Sequence, residues 1–466
     1  MKRSEAGKYA GLPRYSPIHS QEMVQFMWKY SMHMQSTQVP FSVAFEDELD
    51  FELLGRAVNI EIQRNDCLRL RFEGTKKHLK EYFLPEYHFD KLPFRAFSTK
   101  EEQDRYFDAD ASRKLNVFKG ETYRIVLFRA YDGKCGVYIN ASHMIMDAMA
   151  AFAFIKDLMA VYDSLKDNSP MPKALSSYEE IIKSEHADPT LEEKISREGK
   201  ILADFVKKDR PPLYCAINGT KLLERERRLR FNKELTAPSV YLPIFDSTHL
   251  TKLFLTPEQS AALDEFIKTE GLSPEMIVQA ALRICLSKLN NDVDDTVFWV
   301  LCPCRRTVKE KRCGGTLASP MPFREILPSE LTFKEAVLNL SSTQAFLFRH
   351  SSVPFTVIRK NELDLFGYTM MQSCNSMMFS YLPVTESSFG GRKFSCGFYN
   401  MGYYVIPLYT IVIRDPSDGL FKFSYIHRPN MFKDAEVERF HDMTVRLLMN
   451  ALRDPDATIR ELKSSI

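Results

Sequence analysis

Glycine and long apolar runs are scarce in this sequence of 466 residues, of which only 18 are glycine. Few glycines leave little material for loops that cradle phosphate groups. No apolar run approaches the roughly 18 residues that a membrane-spanning helix needs, and the polar residues 1–8 lack the apolar core of a signal peptide. A net charge of +2 does not favour nucleic acid over other partners. We therefore expect a cytoplasmic protein with no integral membrane segment and no nucleic-acid partner.

Several motifs of nucleotide-binding and hydrolytic enzymes are also missing. The sequence has no G-x-G-x-x-G after a strand pattern, no G-x-x-x-x-G-K-[ST] and no G-x-S-x-G, which argues against dinucleotide binding, P-loop chemistry and the α/β-hydrolase mechanism. The nine cysteines favour reduced thiols over a disulfide framework. Cys302, Cys304 and Cys313 lack the paired spacing and the fourth ligand of a zinc site. We expect packed thiols there and no metal.

Strand and helix patterns alternate along the chain and predict an α/β fold with mixed sheets. Period-two alternation predicts strands at 67–72, 123–128 and 136–141, the last two joined by a turn at Asp132-Gly133. We expect a first lobe over residues 1–175, a charged connecting segment over 176–245 and a second lobe over 246–466.

The most informative stretch is 140–148, which reads Asn-Ala-Ser-His-Met-Ile-Met-Asp-Ala. It places His143 where a predicted strand ends, on the face that carries the apolar residues of that strand. Asp147 begins a long Ala-rich helix, which it can cap, or it can accept a salt bridge. A histidine at a strand end suits general-base work at neutral pH. A buried core histidine followed by a helix cap is the structural alternative.

This H-x-x-x-D pattern, after a hairpin and before a long helix, resembles the condensation-domain and acyltransferase superfamily. The superfamily includes nonribosomal peptide condensation domains, chloramphenicol acetyltransferase, carnitine acyltransferases and plant BAHD enzymes. Further blocks follow the order of the family along nearly the whole chain, at 15–17, 49–54, 64–69, 122–127, 299–306, 379–383, 424–432 and 454–459.

Two positions depart from the fuller condensation motif H-H-x-x-x-D-G. Ser142 replaces the first histidine and Ala148 replaces the glycine, whereas the histidine that the family uses chemically is kept as His143. The second BAHD motif, D-F-G-W-G, has only a poor counterpart at 400–404. A missing first histidine is common among alcohol acyltransferases and does not remove the base, whereas the poor match to D-F-G-W-G weakens a BAHD assignment more than the superfamily assignment.

The resemblance implies two chloramphenicol-acetyltransferase-like lobes in a V, with an active-site tunnel between them. It implies acyl transfer from a thioester, on coenzyme A or on carrier-protein phosphopantetheine, to a hydroxyl or an amine. The thioester is a co-substrate, so no bound cofactor and no metal are expected. The expected partners are the acyl donor, a small-molecule acceptor and an acyl or peptidyl carrier protein.

The same resemblance assigns site residues. His143 and Asp147 form the expected catalytic pair, in which His143 is the base and Asp147 orients the turn. Ser142, Arg305 and Arg306 are the expected substrate-binding residues, and either arginine could pair with Asp147 across the lobes. A catalytically degenerate module that binds a carrier protein or another partner remains the alternative function, and an epimerase-like use of His143 is a third hypothesis.

Overall fold

The computed structural model describes residues 9–242, 244–382, 384 and 388–466. The strands are β1 (Gln38–Phe45), β2 (Leu70–Gly74), β3 (Leu79–Phe83), β4 (Phe94–Ala96), β5 (Tyr123–Arg129), β6 (Cys135–Ser142), β7 (His249–Phe254), β8 (Asp295–Cys302), β9 (Ser319–Ile326), β10 (Met377–Leu382), β11 (Phe394–Phe398), β12 (Leu408–Arg414) and β13 (Phe421–His427).

Helices alternate with these strands along the chain. They are α1 (His19–Tyr30), α2 (Phe51–Arg64), α3 (Lys100–Ala111), α4 (Ala148–Lys166), α5 (Tyr178–His186), α6 (Leu191–Lys207), α7 (Lys221–Leu229), α8 (Pro257–Glu270), α9 (Pro274–Leu289), α10 (Val308–Lys311), α11 (Phe333–Arg349), α12 (Phe355–Phe366), α13 (Asp434–Arg453) and α14 (Ile459–Ser464). Among the described residues, no helix is both long enough and apolar enough to cross a bilayer.

The chain divides into two compact units. Unit 1 contains the described residues of 1–191, 303–318 and 384–403, and unit 2 contains those of 192–302, 319–383 and 404–466. This division differs from the boundaries expected from the sequence, because two stretches of the second half belong to unit 1. One of them contains β11, which joins unit 1 because it pairs with β1 in an antiparallel ladder.

Unit 1 contains a five-stranded sheet in the order β11-β1-β6-β5-β4. All of its neighbouring strands are antiparallel except β4 and β5, which are parallel, so the sheet is mixed as expected. Every residue of β6 is buried. An aromatic cluster lies against the sheet, in which the rings of Phe107 and Tyr138 stack with centroids 4.5 Å apart. This core fixes the position of the strand that leads to His143.

Unit 2 contains a six-stranded mixed sheet in the order β7-β13-β12-β10-β8-β9. The central strands β12, β10 and β8 are parallel, and the outer pairs are antiparallel. Helix α9 is buried along most of its length and packs against α11 and α13. Helix α8 begins with Thr256 as its cap and Pro257 as its first residue, where the fixed φ of proline suits the helix.

The strand predicted at 67–72 is wrong in its first half. Residues Asp66–Arg69 form a 3-10 helix, and β2 begins only at Leu70. The turn directs the Asp66 carboxylate at the start of α5, where it accepts hydrogen bonds from the backbone N–H of Tyr178 (2.8 Å) and of Glu179 (3.1 Å). A strand would leave these N–H groups without that partner, so the capping contact explains the turn.

Gly136 of β6 provides a test of how tightly the sheet of unit 1 is packed. A Cβ atom at this position would lie 2.4 Å from the carbonyl oxygen of Val43 and 2.5 Å from the ring of Phe128. We expect Gly136→Ala to lower the free energy of unfolding by about 1–3 kcal/mol, measured by urea denaturation. Gly11→Ala is the control, because a Cβ there meets nothing within 4 Å. Equal stability of the two variants would contradict this packing.

Candidate active site

The turn that carries His143 joins the end of β6 to the start of α4. The backbone N–H of His143 donates to the carbonyl of Thr37 (2.8 Å), and the His143 carbonyl accepts from the hydroxyl of Thr316 (2.5 Å). Within the turn, the N–H of Ile145 donates to the carbonyl of Ser142 (2.9 Å). The backbone of His143 is therefore held from both sides by other segments of unit 1.

Asp147 is the N-cap residue of α4, as the sequence predicts. Its Oδ1 accepts from the N–H of Ala150 (2.8 Å), and its Oδ2 accepts from the N–H groups of Leu317 (2.8 Å) and Ala318 (3.0 Å). Arg305 Nη2 donates to both carboxylate oxygens, at 2.9 and 3.0 Å. A single carboxylate thus connects the start of α4 to the segment 303–318.

Asp147 is only 1 % exposed. Burial alone would raise the pKa of this carboxyl, but the Arg305 guanidinium and the backbone N–H donors more than compensate and hold its pKa below the ordinary value. Asp147 is therefore ionised at neutral pH. Its charge is used for hydrogen bonding and ion pairing, which suits a positioning residue.

Arg305 is the arginine that pairs with Asp147. Its side chain is 5 % exposed, and it also donates to the carbonyl oxygens of Glu310, Cys313 and Gly315, each at 2.7 Å. The sequence led us to expect this pair across two lobes. Instead it lies within unit 1, because the segment 303–318 belongs to that unit. Arg306 is exposed, and its backbone N–H donates to the Glu310 carboxylate.

The imidazole of His143 lies at the end of a buried strand, yet the residue keeps some exposed surface. Its Nδ1 atom is buried and has no hydrogen-bond partner among the described residues. Burial lowers the pKa of His143, and the nearby Asp147 charge offsets only part of that effect. The ring is therefore neutral at pH 7 and able to accept a proton.

Ser142 is buried, and its Oγ accepts a hydrogen bond from the backbone N–H of Met144 (3.3 Å). This contact gives the hydroxyl a local role in the turn. Substrate binding by Ser142, Arg305 and Arg306 stays a prediction.

Sequence reasoning missed the groups that hold Thr316. The Thr316 carbonyl accepts from the hydroxyls of Ser20 (2.8 Å) and Tyr178 (3.0 Å). A Cβ on Gly315 would lie 2.3 Å from the Tyr178 ring, so only glycine fits beneath it. The Gly314-Gly315 pair was the one available sequence signal of this close approach.

A buried carboxyl behind the turn was also missed. Gln21 Nε2 donates to Glu81 Oε2 (2.7 Å) and to the carbonyl of Met144 in the turn (3.0 Å). Burial raises the pKa of Glu81 to about 8, so this carboxyl is predominantly protonated at pH 7. Gln21 therefore connects a neutral acid to the backbone of the turn.

The three cysteines of the C-x-C-x8-C pattern lie in different surroundings. Cys302 ends β8 in unit 2, whereas Cys304 and Cys313 belong to unit 1. The Cys313 thiol accepts from the N–H of Gly315 (3.2 Å). Burial raises the pKa of this thiol to about 12, which keeps it protonated.

Comparison with known families identifies the class of protein. The family model described as "Condensation domain" matches residues 14–194 and 244–465, so the chain belongs to the condensation-domain family. Condensation domains form amide bonds by acyl transfer, and acyl transfer is the general chemistry of the family.

Curated relatives are large synthetases. Over 466 aligned residues the chain is 20% identical to a plipastatin synthase of Bacillus subtilis, with 96% of this chain and 17% of that protein covered. It is 23% identical to the polyketide synthase-nonribosomal peptide synthetase pyiS of Pyricularia grisea, with 92% of this chain and 10% of that protein covered. The chain therefore spans less than a fifth of the length of these two relatives.

Solved structures of condensation domains share the fold. The first condensation domain of the calcium-dependent antibiotic synthetase, bound to a substrate analogue, gives a TM-score of 0.79 at 17% identity and covers 96% of this chain and 98% of its own. A mutant starter condensation domain of rhizomide synthetase, in complex with C8-CoA, gives 0.79 at 13% identity, with 98% and 99% covered. SgcC5 from Streptomyces globisporus gives 0.74 at 19% identity, with 95% and 100% covered.

These likenesses confirm the fold class expected from the sequence, an α/β fold of the chloramphenicol-acetyltransferase type with mixed sheets.

The hydrogen bonds of Asp147 and its ion pair with Arg305 lead to a stability prediction. Asp147→Asn keeps an oxygen for the helix cap but leaves the buried Arg305 guanidinium without its counter-charge, so we expect a loss of about 3–5 kcal/mol in the free energy of unfolding. Urea denaturation measures this loss. The control is Glu48→Gln, which breaks an exposed pair with Arg129 and should cost at most about 1 kcal/mol. An Asp147→Asn protein of unchanged stability but without activity would instead indicate proton handling by Asp147.

Proposed function

We propose that the protein transfers an acyl group from a thioester to a hydroxyl or an amine, with His143 as the general base. The observation that carries this proposal is the neutral imidazole of His143, a residue that keeps some exposed surface, on a turn that Asp147 and Arg305 hold in place. A base that is unprotonated at neutral pH and carried by a firmly held backbone is what direct attack on a thioester requires.

In the proposed reaction His143 accepts the proton of the acceptor O–H or N–H while the acceptor oxygen or nitrogen attacks the thioester carbonyl. The new C–O or C–N bond forms, the C–S bond breaks, and the leaving thiolate takes up the proton that His143 accepted, which regenerates the base. Asp147 does not exchange protons in this scheme, because its lowered pKa keeps it ionised. It acts as a positioning residue for the turn.

The donor is a thioester on coenzyme A or on a carrier-protein phosphopantetheine. The coenzyme A form is supported by the rhizomide synthetase neighbour, whose structure holds C8-CoA. The carrier form is supported by the synthetase relatives. No tightly bound cofactor and no metal take part in the proposed reaction, and the acceptor is a small molecule.

The alternative is a degenerate condensation module that binds a carrier protein without chemistry. Ser142 and Ala148, at the positions of the first histidine and the glycine of the family motif, are the residues that favour it. The two functions differ in one measurable property, since only the acyltransferase requires the imidazole of His143 for turnover.

We expect His143→Ala to lower thioester turnover by about 10²–10⁴-fold, because a positioned general base contributes that much. The assay follows thiol release from a panel of acyl-coenzyme A and acyl-N-acetylcysteamine donors, each with alcohol and amine acceptors. Thermal unfolding checks that the variant remains folded.

The matched control is His88→Ala, since the His88 side chain is 66% exposed. Full turnover by a folded His143→Ala protein would overturn the proposed mechanism. Carrier-protein binding without turnover by the unmodified protein, over the whole donor panel, would favour the degenerate module.

A further inference from the structure

Two histidines and an aspartate come together in unit 2, although His249 is far in sequence from His427 and Asp434. His249 begins β7 and His427 ends β13, and the antiparallel register places these two residues directly opposite each other. Asp434 is the first residue of α13, which packs against β7. A strand pair and a helix start thus supply three side chains that are common ligands of divalent metals.

Two of the three distances between the ligand atoms match those of a tetrahedral metal site. Asp434 Oδ1 lies 3.1 Å from His249 Nδ1 and 3.2 Å from His427 Nε2, and all three atoms lie within 4.8 Å of one another. Zinc bonds of about 2.0–2.1 Å at tetrahedral angles place neighbouring ligand atoms about 3.3 Å apart. The distances from Asp434 Oδ1 to the two imidazole nitrogens already fit this geometry.

The hydrogen bonds of His427 determine which of its nitrogen atoms is free to coordinate. The Nδ1 of His427 lies 3.1 Å from the carbonyl oxygen of Phe432, which can only accept. In a neutral ring Nδ1 then carries the hydrogen, and Nε2 presents its lone pair to the Asp434 carboxylate. This lone pair lies 3.3 Å from the hydroxyl of Thr251, which can donate to it, and 3.2 Å from Asp434 Oδ1, which can only accept. The lone pairs of Nε2 and Oδ1 repel, and a cation between them removes the repulsion.

A histidine that binds a metal through one ring nitrogen commonly donates the N–H of the other to a carbonyl or carboxylate. The contact of His427 Nδ1 with the Phe432 carbonyl is of this kind. The His427 side chain is 0% exposed, whereas His249 and Asp434 are 55% and 59% exposed. The two exposed ligands leave a path by which an ion can enter.

We propose that His249 Nδ1, His427 Nε2 and Asp434 Oδ1 bind one divalent metal ion of the zinc class, with the fourth position open to solvent. The ion fastens the start of α13 to the β7–β13 edge of the sheet in unit 2. The site contains none of the residues of the proposed acyl transfer.

Zinc titration of the full chain tests the proposal. The protein is freed of metal with a chelator, dialysed and titrated with Zn²⁺ by calorimetry, and we expect one equivalent to bind and to raise the melting temperature. His249→Gln and Asp434→Asn each remove one exposed ligand with little risk to folding, and each should weaken binding at least about tenfold. The control is His88→Gln, which removes a histidine from an exposed His–Asp contact in unit 1 that has no second histidine.

Cobalt spectroscopy tests the identity of the ligands, because the chain also has nine cysteines. Co²⁺ at the proposed site should give visible d–d bands without a thiolate charge-transfer band, and His249→Gln should abolish these bands. Absence of zinc binding, binding unchanged in both ligand variants, or a thiolate charge-transfer band would each overturn the proposal.

Discussion

Five hydrogen bonds converge on the carboxylate of Asp147, and the arrangement around His143 depends on them. One comes from the first turn of α4, two from the backbone at 317–318 and two from Arg305. A buried charge is stable only when it is paired and fully hydrogen-bonded. The requirement to satisfy Asp147 therefore draws the segment 303–318 into unit 1, although this segment follows a strand of unit 2.

The contacts of Asp147 affect the proposed chemistry in two ways: they position the turn that carries His143, and they influence the pKa of His143. Once the segment 303–318 is in place, Thr316 reaches the carbonyl of His143, and the turn is held between Thr316 and Thr37. The Asp147 charge is largely taken up by Arg305 and backbone N–H groups, so it raises the pKa of His143 less than burial lowers it. The result is an ionised aspartate beside a neutral histidine.

Much of the local structure around His143 and Asp147 was predictable from patterns in the sequence. The hairpin at Asp132-Gly133, the strand that ends before His143 and the cap formed by Asp147 depend on neighbouring residues, and the structure confirms them. The choice of Arg305 over Arg306 could not be predicted, since it depends on three carbonyl oxygens that a loop turns toward one guanidinium.

Contacts between distant segments were the least predictable. The pairing of β11 with β1 joins residues about 350 positions apart, and it moves a stretch of the second half into unit 1. The cluster of His249, His427 and Asp434 depends on strand register in the same way. The V-shaped arrangement and the tunnel that the family resemblance implies stay predictions.

The central claim is that the folded protein holds His143 as a neutral base. The most direct measurement is an NMR titration of the chain labelled at its 10 histidines, with His143→Gln used to assign the His143 signals. The account predicts a pKa below the ordinary value of 6.5, so that the ring loses its proton before neutral pH is reached. A His143 pKa at or above 6.5 would mean that burial does not dominate the Asp147 charge, and it would contradict the account.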